Sequence, residues 1–81
     1  PFNPRTIITF QSPEHATISV DVYDIAGTRV RSLTNKSYLP GTYTLLWDGT
    51  DSRYQSVPSG VYFIILNAPG FSATNQIVLL K

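Results

Sequence analysis

Turn residues cut this chain into short β-rich runs, and that punctuation excludes most folds. Thr6 to Phe10, Ala16 to Tyr23, Thr28 to Leu33, Thr42 to Trp47, Val61 to Asn67 and Phe71 to Leu80 each read as a strand. Pro13, Gly27, Pro40-Gly41, Asp48-Gly49, Ser59-Gly60 and Pro69-Gly70 lie between them. Asp-Gly ends a strand because the aspartate side chain bonds its own turn backbone and glycine accepts positive φ. Regular short strands with turn signals of this kind indicate a β-sandwich or a small barrel. No run carries a convincing helical pattern.

Side-chain phase within the runs predicts the core. Ile18, Val20 and Val22 face one way and Thr17, Ser19 and Asp21 the other, as a strand with one wet face requires. Ile8 pairs with Phe10 on one face, and Tyr43, Leu45 and Trp47 share another. Tyr62, Ile64 and Leu66 point inward, with Ile77 and Leu79 in the last strand, although Phe63 and Ile65 make that fifth run apolar on both sides. A strand apolar on both faces has to be covered on both. Thr34 to Pro40 is polar and reads as a loop, and so does the stretch from Asp48 to Pro58.

The chain has 81 residues, enough for a single domain over 1–81. At this size folding buries roughly 60–65% of the surface that the unfolded chain exposes, so stability is modest. There is no cysteine to add a disulfide or a thiolate metal site. The net charge of +1 is too balanced for a nucleic-acid surface, which needs concentrated cations. Arg29 and Arg31 are the closest basic pair, and their spacing places both on the solvated face of a strand. No run approaches the roughly 20 apolar residues that cross a bilayer as a helix. The absence of methionine is read as the mark of a processed product or of a domain taken from something longer.

The residue inventory argues against catalysis. His15 is the one histidine, and it sits in a Pro-Glu-His turn beside Glu14. A nucleophile relay needs a base oriented by a third group, and adjacent residues point apart. Asp48 and Asp51 are weak candidates for a cation, but hard cations want six to eight oxygens. Capping turn amides is the simpler role for both aspartates. Tyr54 lies in a polar loop and is expected to fold back over the sandwich; exposed, it would be a contact residue. Tyr38 and Tyr54 together would suit a carbohydrate site. Gly27, Gly41, Gly49, Gly60 and Gly70 are too dispersed for a phosphate loop. No cofactor is expected.

Five motifs stand in order: Pro1-Phe2-Asn3-Pro4-Arg5-Thr6-Ile7-Ile8-Thr9-Phe10; Val20-Asp21-Val22-Tyr23-Asp24-Ile25-Ala26-Gly27; Leu39-Pro40-Gly41-Thr42-Tyr43; Trp47-Asp48-Gly49 with Pro58-Ser59-Gly60-Val61-Tyr62; and Ile77-Val78-Leu79-Leu80-Lys81. Together they resemble two related groups, the type IX secretion C-terminal sorting domains and the immunoglobulin-like domain of flagellar hook-capping proteins. The resemblance implies an immunoglobulin- or fibronectin-like antiparallel β-sandwich of six to seven strands. It matches Gly41, Tyr43, Trp47, Asp48, Gly49, Gly60, Tyr62 and Lys81 to motif positions that keep the domain folded. Two positions depart from the pattern: Tyr54, where a glycine is common, and Asn75-Gln76, where basic residues usually precede the last strand.

The first functional expectation is a non-catalytic C-terminal module of a longer exported protein, passing through the periplasm and read by secretion machinery for attachment at the cell surface. The alternative is a structural assembly module, a hook-cap-like domain or filament subunit whose partners are neighbouring subunits. A carbohydrate-binding module is a third class. None of them inserts into a membrane or binds nucleic acid.

Overall fold

The computed structural model describes residues 5–80. The opening motif before Arg5 and the terminal Lys81 lie outside the described residues. Six strands follow in order: β1 (Thr6–Ser12), β2 (Ala16–Asp24), β3 (Arg29–Tyr38), β4 (Gly41–Trp47), β5 (Gly60–Ala68) and β6 (Phe71–Leu79). β1 and β4 form a two-stranded antiparallel sheet, and β3-β2-β5-β6 form a four-stranded one. The two sheets enclose one core, an all-β sandwich without helix among the described residues.

The alternating residues predicted to face inward do so. Ile18, Val20 and Val22 are at most 2% exposed, and Phe10, Tyr62, Ile64 and Leu79 join them. Trp47 at the end of β4 is fully buried and is the largest side chain in the core. Its ring meets the Tyr62 ring edge-on at 5.3 Å. A second aromatic group, Phe10, Tyr38 and Tyr43, fills the other end with centroids 4.6 to 5.7 Å apart. At about 25 cal/mol per Å2 of apolar surface, such rings contribute a few kcal/mol each.

Three expectations need correction, all on or beside β3. The polar stretch after Leu33 is not a loop: the strand continues to Tyr38, whose buried ring closes it. An edge strand needs few apolar residues, because one side of it faces solvent. Two β-bulges then reset its phase. Val20 pairs with Thr34 and Asp21 with Ser32, leaving Leu33 as the extra residue; Val22 pairs with Arg31 and Tyr23 with Arg29, leaving Val30. Opposed residues share a face, so Arg31 lies on the inner side with Val22 while Arg29 lies on the outer side with Tyr23. Arg29 and Arg31 are not a pair on one wet face. Asp21 corrects the third expectation. It is on the outer face but only 7% exposed, between Ser32 and Ile65, and its Oδ1 has no hydrogen-bond partner.

Candidate functional site

The two Pro-containing Gly-x-Tyr motifs are one device used twice. The Tyr43 hydroxyl donates to the Leu39 carbonyl at 2.5 Å, and the Tyr62 hydroxyl donates to the Pro58 carbonyl at 2.6 Å. Each bond closes a corner between a tyrosine inside a strand and the carbonyl four residues earlier. Gly41 and Gly60 share the same backbone φ, +155° and +157°. Gly41, Tyr43, Gly60 and Tyr62 therefore shape strand entry. Burial raises the Tyr62 hydroxyl pKa above its ordinary value, with a further contribution from the Asp24 carboxylate.

The stretch between β4 and β5 is an ordered small hairpin. Thr50 bridges to Ser56, Asp51 N–H donates to Gln55 O at 2.9 Å, and Val57 N–H donates to Gly49 O at 3.0 Å. Trp47 Nε1 donates to Thr50 O at 2.9 Å, so the buried ring anchors the turn. Ser52 N–H donates to Val30 O at 3.1 Å. That carbonyl belongs to the residue that the second bulge frees from the ladder, so the bulge ties the loop to β3.

Asp48 and Asp51 serve this loop. Asp48 Oδ1 accepts from Thr50 N–H, the Thr50 hydroxyl and Arg31 Nη1. Asp51 Oδ1 accepts from the amides of Arg53 and Gln55. The Thr50 hydroxyl holds the Asp48 pKa below its usual range, helped by the Arg31 charge and opposed by partial burial. Turn amides, the Thr50 hydroxyl and Arg31 occupy the Oδ1 oxygens of the two carboxylates, and among the described residues no three His, Cys, Asp or Glu side chains converge.

Spacing set Arg31 beside Arg29 on a wet face and gave it no contact in this loop. From the inner face of β3 it reaches Asp48, bonds the Thr50 hydroxyl, and stacks on Tyr54 with its guanidinium carbon 4.7 Å from the ring centre. The phase shift comes from the bulges, which no local residue pattern announces. Tyr54 does not fold back over the sandwich. Its side chain stands at the loop tip, 75% exposed, on a backbone with φ of +62°. Few non-glycine residues adopt that conformation, which gives a physical reason for a glycine at this position. Tyr38 is buried against Phe10 and bonded to Thr34, so it does not form a platform with Tyr54.

His15 is not a purely solvated turn residue: its Nε2 lies 2.7 Å from Ser37 Oγ. Among the described residues no carboxylate bonds its other ring nitrogen, so the pair lacks the third group of a relay. A cleft of about 830 Å3 opens where two strands face four. Its lining includes Ile8 and Phe10 of β1, Ile18 and Val20 of β2, Leu66 of β5 and Ala73 of β6.

Two comparisons bear on this architecture. The family model for the FlgD Ig-like domain matches residues 3–69. A crystal structure of FlgD from P. aeruginosa superposes with a TM-score of 0.70 at 26% sequence identity, covering 93% of this chain. The chain spans 60% of the length of that FlgD chain. No curated protein matches.

Proposed function

The chain belongs to the FlgD Ig-like domain family, and we propose that it is a non-catalytic assembly module of an exported appendage, acting as a hook-cap-like domain does. The observation behind this reading is the likeness to FlgD, which runs over 93% of the chain. Its partners are neighbouring protein subunits, and its place is outside the cell. A chimera tests the reading: the matching domain of P. aeruginosa FlgD is replaced by residues 1–81. Hooks assembled by the chimera are the expected result. A folded, exported chimera that builds none would defeat the assembly role.

The sorting-module reading rests on the ordered motifs alone, and the comparisons favour assembly over it. The two readings separate cleanly. A folded sandwich presents a fixed surface that a translocon could read, so a sorting module fused to the C-terminus of an exported reporter carries it across the outer membrane of a type IX-competent host. Under the assembly reading the reporter stays in the periplasm.

A further inference from the structure

The two edges of the four-stranded sheet differ sharply in charge. β3 carries Arg29, Arg31 and Lys36, and two bulges interrupt its ladder. β6 runs nine residues, Phe71-Ser72-Ala73-Thr74-Asn75-Gln76-Ile77-Val78-Leu79, with no charge, no proline and no irregularity in its pairing to β5. Among the described residues its other side pairs with nothing. Soluble proteins normally blunt such an edge with lysines, proline or a bulge, because free N–H and C=O groups template another strand. Here the charged side chains and the bulges are on the opposite edge.

At the middle of the strand, where a lysine would protect the edge, stand Asn75 and Gln76. Both are exposed. Phe71 and Val78 stand beside them at 61% and 59% exposure. A strand pairing antiparallel with its own copy brings each residue against the same strand under a two-fold axis. On β3 that operation would set the exposed Arg29 and Lys36 against the same two cations of the copy. On β6 it sets only uncharged side chains against one another, with no charge repulsion.

We propose that β6 is a self-association edge: a second copy of this chain adds its own β6 antiparallel, joining two four-stranded sheets into one of eight. The contact rests on the assembly reading for its biological use but not for its chemistry.

Sedimentation of the 81-residue chain up to about 1 mM tests this, since even a millimolar dimer is half formed there. The parent is expected to dimerise with concentration. Thr74→Lys with Gln76→Lys, both exposed positions, is expected to leave a monomer that melts with the parent at low concentration. Thr9→Lys on the edge of β1 is expected to leave the dimer intact. Amide exchange gives the second readout: every second amide of β6, those pointing away from β5, becomes protected as concentration rises. A parent that stays monomeric throughout, a dimer indifferent to the β6 lysines, or a dimer abolished by Thr9→Lys would overturn the proposal. A monomeric chain whose FlgD chimera still builds hooks would overturn this edge alone and leave the assembly role standing.

Discussion

The guanidinium of Arg31 covers the ring of Tyr54, 4.7 Å from its centre, across two segments that sequence order keeps apart. The same Arg31 binds Asp48 and Thr50. One side chain thus fixes the start and the tip of the loop between β4 and β5. It holds an exposed tyrosine in a backbone conformation that tyrosine rarely adopts.

Tyr54→Gly is expected to melt close to the parent, and Tyr54→Ala below both. A non-glycine residue in the left-handed region costs about 1–2 kcal/mol. Stacking of the half-buried Arg31 on the exposed Tyr54 ring returns about 0.5–1 kcal/mol. Glycine loses the stack and sheds the strain, whereas alanine loses the stack and keeps the strain. For a domain this small, 1 kcal/mol is about 4–8 °C in Tm. Thermal unfolding of the two variants decides it: alanine melting at or above glycine would show that strain at this φ is not what sets the cost.

Trp47→Ala is expected to lower stability by about 3–5 kcal/mol, against a total of about 5–15 kcal/mol for an ordinary domain. The indole is fully buried, packs on Tyr62, and donates to Thr50 O. Loss of the ring therefore loosens the core and the loop together. Trp47→Phe keeps most of the apolar volume and loses the hydrogen bond, so it should fall between the two. Urea unfolding checks the order. A Trp47→Ala midpoint near the parent's would remove the tryptophan from its central place.

Core and loop differ in how far the residues announced them. The strands whose one face meets the core were legible, since Ile18, Val20 and Val22 alternate strictly and Tyr43, Leu45 and Trp47 hold a single phase. The far half of β3 was not. Thr34 to Ser37 is polar because the strand lies at an edge, and polarity at an edge looks like polarity in a loop. The Arg31 cluster was hidden for another reason. Bulges at Val30 and Leu33 depend on how β2 and β3 pair, and a count of i, i+2 positions assumes an unbroken ladder. Tyr54 stays exposed on a left-handed backbone at the loop tip, where Arg31 of β3 meets the ring.

EDTA is expected to leave Tm unchanged. The Asp48 and Asp51 oxygens that face the loop already accept from Thr50, Arg31 and the turn amides. A specific ion at a hundredfold excess over Kd would add about 2.7 kcal/mol. A drop in Tm on chelation, restored by calcium, would reassign those carboxylates as ligands.

Tyr62→Phe is expected to lower stability at neutral pH and to flatten its decline in alkali. The lost bond to the Pro58 carbonyl costs about 1 kcal/mol, and more if that carbonyl is left without a partner. The pH dependence follows from the raised pKa of the Tyr62 hydroxyl, caused first by burial and then by the Asp24 charge. An unfolded tyrosine ionises near pH 10. The folded chain holds this proton more tightly than the unfolded chain does. Its contribution is therefore complete below about pH 10 and is lost as pH rises through the higher folded value. Phenylalanine has no proton to lose, so the variant lacks this part of the alkaline limb. Unfolding free energies measured for both proteins from about pH 8 to pH 12, a range spanning the tyrosine transition, should converge as pH rises. Parallel curves above pH 10 would show that ionisation of Tyr62 is not linked to the fold.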